Sequence, residues 1–161
     1  MIKIITGDLL NATEKYILHQ TNCVSNDGSA GIAKLIFDKY PYANCYLDRT
    51  NFSKPGTIDV RGDGLDQRYI INLHGQVYPG RAKYPLSTLD GLSVREKYFH
   101  SGLLRVAKID NLESIALPWK VGCGIANGDW NHYLVTLTNF ATYVEEQQGA
   151  MVRIYRREGD E

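Results

Sequence analysis

Ser114-Ile115-Ala116-Leu117-Pro118-Trp119-Lys120-Val121-Gly122-Cys123-Gly124-Ile125-Ala126-Asn127-Gly128-Asp129-Trp130 decides the fold. Ser114 to Leu117 is an apolar run of strand length, and Gly122 to Gly128 is a glycine-rich elbow. From Trp130 onward, Leu134, Leu137, Ala141 and Val144 step by fours and threes, which predicts an amphipathic helix. Gly149 closes it. Strand, elbow, helix is the unit of an α/β sheet protein.

A second elbow of the same kind lies earlier. Tyr16-Ile17-Leu18-His19-Gln20 reads as a strand, Asn22-Cys23-Val24-Ser25-Asn26-Asp27-Gly28-Ser29-Ala30-Gly31 as the elbow, and Ile32-Ala33-Lys34-Leu35-Ile36 as the helix start. Ile32, Leu35, Ile36 and Tyr40 share one helical face, and Pro41 ends or interrupts the segment. Small residues let backbone N–H groups approach a ligand, and a helix N-terminus supplies unpaired donors with partial positive charge. Each elbow alone is compatible with a plain strand–helix connection. Two in one small chain point to a ligand with more than one phosphate.

The rest of the chain fills out the pattern. Ile2 to Ile5 is a short strand followed by the loop Gly7-Asp8-Leu9-Leu10. Ala43 to Arg49 is read as a short helix. Thr57 to Arg61 and Arg68 to Leu73, around the turn Gly62-Asp63-Gly64, predict a hairpin. Gly75 to Pro85 is irregular and long enough to touch a ligand. Ser93-Val94-Arg95-Glu96 matches a capping box, with a start one turn earlier as the alternative; Leu92, Phe99, Leu103 and Val106 give that helix its apolar face. Met151 to Tyr155 is the last strand. This order predicts one domain over 1–161, a three-layer α/β/α fold with a mixed, mostly parallel central sheet.

Composition excludes several classes. Lys+Arg and Asp+Glu both number 18, so the basic excess of a phosphate-neutralising nucleic-acid binder is missing. The three cysteines (Cys23, Cys45, Cys123) form no CxxC pair and suit a reducing, cytoplasmic setting. The four histidines (His19, His74, His100, His132) lack zinc-site spacing, and neither metal nor cofactor is expected. No apolar stretch reaches membrane-spanning length and the N-terminus turns polar too early for a signal peptide, so no membrane partner is expected. Disorder is expected only at the charged tail Arg156-Arg157-Glu158-Gly159-Asp160-Glu161. Gly122-x-Gly124 lacks the third glycine of a dinucleotide-binding fingerprint, which disfavours a nicotinamide oxidoreductase, and no Walker pattern occurs.

Several motifs together carry a family resemblance. They are Gly7-Asp8-Leu9, His19-Gln20-Thr21-Asn22-Cys23, Ser29-Ala30-Gly31-Ile32-Ala33-Lys34, and Leu117-Pro118 through Gly122-Cys123-Gly124-Ile125-Ala126-Asn127-Gly128-Asp129-Trp130. In this order, over almost the whole chain, they resemble a macrodomain, specifically the small stand-alone phage and microbial branch that processes ADP-ribose-1''-phosphate. The resemblance implies that Asp8 accepts a hydrogen bond from the adenine 6-amino group and that the Leu9 N–H helps read the ring. An exposed loop carboxylate is the plain alternative for Asp8. Ser29, Ala30, Gly31 and Ile32 would form the first diphosphate loop, and Gly122, Cys123, Gly124, Ile125 and Ala126, after Pro118, the second. Cys123 would be a small loop residue rather than a nucleophile. Asn22 would face the distal ribose, and Tyr155 would border the adenine or fill the core.

Two departures stand out. The branch that removes ADP-ribose through a lysine adduct and an aspartate would have these at Gln76 and Ala126, so neither group is present. The His-containing glycine loop of another hydrolase branch is replaced by Asp27-Gly28-Ser29. The implied activity is hydrolysis at the distal ribose C1'', releasing phosphate or an ADP-ribosyl group. Asn22, His19, Gln76 and Asp27 are the candidate catalytic residues, and His19 is equally readable as a core or strand-end histidine with a backbone partner. The other implied class is a non-catalytic binder of ADP-ribose. The expected partners are ADP-ribose, its 1''-phosphate or ADP-ribosylated macromolecules, taken up by a monomer.

Overall fold

A computed structural model describes residues 1–161. Along the chain the elements are β1 (Ile2–Thr6), β2 (Tyr16–Asn22), α1 (Gly31–Lys39), β3 (Ile58–Arg61), β4 (Tyr69–Gln76), α2 (Leu92–Val106), β5 (Ser114–Pro118), α3 (Trp130–Gln148) and β6 (Met151–Arg156). The strands form one six-stranded sheet in the order β1-β6-β5-β2-β4-β3. Neighbours run parallel except β3, which pairs antiparallel with β4 at one edge. The sheet is mixed and mostly parallel, as the order of elements predicts.

Strand alternation sorts the core into two layers. Tyr16, Leu18, Ile71, Leu73, Ile115 and Leu117 face α2 and α3, where they meet Phe99, Leu103, Tyr133 and Leu137. Ile17, Ile70 and Ala116 face the other way, onto Ala33, Ile36 and Phe37 of α1. Successive strand residues point to opposite sides, so a central strand covered on both faces must be apolar throughout. Leu137 is fully buried, and cutting such a side chain back to alanine costs about 2–5 kcal/mol.

Connectivity places a crevice. From β2 the chain crosses over α1 toward β4 and β3; from β5 it crosses over α3, on the opposite face, toward β6. β2 and β5 are neighbours, and their pairing covers only Tyr16 with Ile115 and Ile17 with Ala116. Past that point the two strands part, with connections leaving in opposite directions. This is a topological switch point, and ligands of open α/β sheets bind at the carboxyl ends of strands there.

Three local expectations are corrected. No helix forms over Ala43 to Arg49. A 3-10 turn spans Pro41–Ala43, and the Asn44 side chain then accepts from the Tyr46 N–H at 3.1 Å, a local bond that competes with helix. The Ser93/Glu96 capping box is not used. α2 starts at Leu92 after Gly91, the Leu92 N–H donates to Pro85 O, and Glu96 instead meets His132 on α3 at 3.0 Å. The charged tail is folded: the Arg156 guanidinium lies 4.5 Å from the Trp119 ring, and Trp119 Nε1 donates to Glu161 O at 2.8 Å.

Candidate active site

A cleft of about 700 Å³ opens at the carboxyl ends of the parallel strands, over the switch point. It contains Asp8, Leu9, Asn22, Ser29, Ala30, Gly31, Ile32, Gln76, Pro118, Gly122, Gly124, Ile125 and Ala126 of the residues singled out from sequence. Their convergence follows from topology, because each lies at the end of a different parallel strand or in the elbow after it.

The first elbow enters α1 at Gly31, whose φ of +59° is left-handed and favours glycine. No side chain caps α1, and its first intrahelical bond runs from the Lys34 N–H to Ala30 O, so the N–H groups of Gly31, Ile32 and Ala33 have no protein acceptor. The second elbow is held by its own backbone: Cys123 N–H to Lys120 O, Asn127 N–H to Gly124 O, and Gly128 N–H to Gly122 O. Gly122 (φ +75°) packs so tightly on Tyr133 that a Cβ there would meet its ring at 2.6 Å. The N–H groups of Gly124, Ile125 and Ala126 find no acceptor in the protein. The elbows touch, because the Ile125 side chain lies over Gly31.

Asp8 caps the 3-10 turn after β1 by accepting from the Leu10 N–H at 2.9 Å, and its Oδ1 also lies 3.6 Å from Arg157 Nη2. Tyr155 stands beside Gly7 along the cleft wall and donates to Glu14 Oε1 at 2.6 Å. Burial pushes the Glu14 carboxyl up, but hydrogen bonds from Tyr155 and Arg153 outweigh it and hold the group below its ordinary value. A charged Glu14 therefore anchors Tyr155.

At the far end the groups are amides and hydroxyls. Asn22 Oδ1 accepts from the Val24 and Ser25 N–H groups at 3.0 and 2.8 Å, while its Nδ2 donates to Ser25 Oγ at 3.0 Å. Its amide shapes the loop as well as lining the cleft. Gln76 Nε2 donates to Tyr78 O at 2.9 Å, which fixes its amide, and its Oε1 accepts from Gln20 Nε2 at 2.7 Å. Behind this wall Arg95 and Asp90 form a buried pair at 2.7 Å. Asp90 accepts from the N–H groups of Val77 and Tyr78, and Arg95 donates to the carbonyls of Tyr78 and Gly80.

Three expected residues do not reach the cleft. His19 shares the face of Ile17 and is fully buried under α1, edge-on to Phe37. Burial pushes its pKa down to about 4, so it is neutral near pH 7, and it does not line the cleft. The Asn72 amide donates to Ala43 O, leaving Oδ1 to accept from His19 Nε2–H at 2.6 Å. Asp27 is exposed and its carboxylate turns back to the Gly28 N–H at 2.6 Å. Cys123 points inward beside Gly128, and burial raises its thiol to about 12, which favours the protonated thiol over a thiolate at neutral pH. Sequence reasoning missed Arg157 and Asp160, tail residues that line the cleft beside Asp8.

No helix is long and apolar enough to cross a membrane, and no group of three His, Cys, Asp or Glu side chains could hold a metal ion. No family model matches the chain, and no curated protein matches it in sequence. Solved structures do match. The macrodomain of Mycobacterium tuberculosis DarG is 23% identical over 96% of this chain and 97% of its own, with a TM-score of 0.69. The macrodomain of Thermus aquaticus DarG is 23% identical over 97% of this chain and 98% of its own, at 0.67. A mutant of the Oceanobacillus iheyensis macrodomain, solved with ADPR, is 18% identical over 96% of this chain and 83% of its own, also at 0.67. With the strand order, the two facing elbows and the end-to-end superposition, this chain has the macrodomain fold.

Proposed function

We propose that this chain binds ADP-ribose, with the pyrophosphate held between the two elbows. The observation that carries this reading is the pair of facing donor sets, the N–H groups of Gly31, Ile32 and Ala33 on one side and of Gly124, Ile125 and Ala126 on the other, none with a protein acceptor. Backbone donors at a helix N-terminus suit an anion, and contacts to a charged acceptor are the stronger hydrogen bonds. The adenine would lie toward Asp8, Leu9 and Tyr155, and the distal ribose toward Asn22 and Gln76. The ADPR-containing relative supports that choice of ligand.

A second reading is hydrolysis at C1'' of ADP-ribose-1''-phosphate or of an ADP-ribosyl linkage. The unpaired donors of the second elbow favour it, since they would face charge developing on a leaving phosphate. Against it, the distal end offers Asn22, Gln76, Gln20 and Ser25, and none of these side chains is an acid or base near neutral pH. Binding is therefore the primary reading. Calorimetry with ADP-ribose tests it, and absence of both heat and thermal protection refutes it. Phosphate release from ADP-ribose-1''-phosphate above a heat-inactivated control would establish the hydrolase.

A further inference from the structure

A second cavity lies outside the cleft. It holds about 310 Å³ and is lined by Val24, Asn26, Arg49, Thr50, Asn51 and Phe52. The loop over 22–26 stands between the two, with Asn22 and Ser25 on the cleft side and Val24 and Asn26 on the other. Arg49 ties this loop from behind. Its Nη1 donates to Ser25 O at 2.8 Å, and its Nη2 to Asn22 O at 3.0 Å and Ser53 Oγ at 3.1 Å. The guanidinium also lies 5.2 Å from the Tyr46 ring. All of these partners are neutral. Asp48, beside Arg49 in the chain, is committed to Arg61 at 2.6 Å, and the Asp27 carboxylate turns to Gly28. The positive charge of Arg49 is therefore uncompensated, and its Nε–H donates to nothing in the protein.

The rest of the lining adds donors and no carboxylate. The backbone N–H groups of Asn26, Thr50, Asn51 and Phe52 have no protein acceptor, and the side chains of Asn26, Thr50 and Asn51 are equally unbonded. Phe52 is 77% exposed, an aromatic ring that the core does not use. We propose that this cavity is a second binding site, for a phosphate monoester carried on a planar ring. It lies apart from the ADP-ribose cleft and does not depend on that reading. Several donors around one fixed cation suit the three oxygens of a phosphate, while the ring packs on Phe52. Three hydrogen bonds and Tyr46 already order Arg49, so binding immobilises little more of it. The volume is at the small end of the range for ligand cavities, about 300–1,000 Å³, which fits a monophosphate rather than a dinucleotide.

The test titrates the full chain with phenyl phosphate and follows the backbone amides by NMR. Shifts are expected at Asn26, Thr50, Asn51 and Phe52. Shifts confined to the cleft donors of Gly31 to Ala33 and Gly124 to Ala126 overturn the site, because the probe would then occupy only the cleft. Asn51→Asp puts a carboxylate into the cavity and should weaken phenyl phosphate about tenfold or more. Phe52→Ala should weaken it about two- to tenfold, and inorganic phosphate not at all. Both side chains are exposed, so both variants should keep the wild-type melting temperature. Unchanged affinity in Asn51→Asp overturns the anion site. Equal affinity of wild type and Phe52→Ala for phenyl phosphate overturns the place given to the ring.

Discussion

A Cβ placed on Gly31 would lie 2.8 Å from Cδ1 of Ile125, so the first residue of α1 and the tip of the second elbow touch above the cleft. The contact joins two connections that leave the sheet toward opposite faces. Gly31→Ala must both push Ile125 aside and hold φ at +59°, a left-handed conformation costing about 1–2 kcal/mol for a residue with a Cβ. Urea denaturation should show a loss of that size, and calorimetry a larger loss of ADP-ribose affinity.

Gly124 provides the contrasting case. Nothing lies within 4 Å of a Cβ there, and its φ is not in the left-handed region. Gly124→Val should therefore leave the melting temperature almost unchanged while the side chain occupies ligand space. ADP-ribose affinity should fall about tenfold or more, roughly 1.4 kcal/mol per decade. A variant that melts normally and binds normally would disprove the assignment of this elbow to the pyrophosphate.

Asp8→Ala should weaken ADP-ribose binding by about 1.5–3 kcal/mol, the range for hydrogen bonds to a charged group, or ten- to a hundredfold and more. Loss of the bond to the Leu10 N–H should destabilise the fold by only about 1 kcal/mol. Calorimetry on a folded variant with unchanged affinity would refute the adenine role.

The buried histidines give a pH dependence. Burial depresses both His19 and His74 to about 4, below the 6.5 of an unfolded chain. Between about pH 6.5 and 4 the unfolded state binds more protons, so stability falls as the solution is acidified through that window. Each histidine contributes on the order of 1–3 kcal/mol to the loss. Urea denaturation from pH 7.5 to 4.5 should show it, with a shallower slope for His19→Gln, whose amide can still donate to Asn72. A flat profile in the wild type would contradict the burial of both imidazoles.

Breaking the pair behind the cleft wall should be costly. Arg95→Met leaves the Asp90 carboxylate buried without its partner and frees the carbonyls of Tyr78 and Gly80. A loss of about 3–5 kcal/mol is expected by denaturation, since an unpaired buried charge remains. Removing both charges, as Arg95→Met with Asp90→Asn, should recover part of it.

How far the sequence could be read depends on whether the deciding interaction is local. The apolar run before Pro118, the spacing from Trp130 to Val144 and the two glycine elbows each act over a few residues, and each appears as read. Of the two readings open for His19, the buried one fits the structure; strand alternation puts it on the face of Ile17 but does not say which layer covers that face. Ala43 to Arg49 failed as a helix because a single bond from Asn44 redirects the backbone. Arg95 lies on the same face of α2 as Leu92 and Phe99, so the helical period points it inward, but the partner that accompanies its buried charge, Asp90, is a loop residue outside the helix. The tail looked disordered by composition, yet one indole, Trp119, supplies the surface on which Arg156 folds.

The brief pairing of β2 with β5 divides the sheet into two ribbons, β1-β6-β5 and β2-β4-β3, seamed near the end where these central strands begin. Each elbow is rooted in a different ribbon. A molecule spanning both elbows would act as a staple across the open end of that wedge. Amide protons flanking the seam should then exchange more slowly in its presence, even those that never touch it.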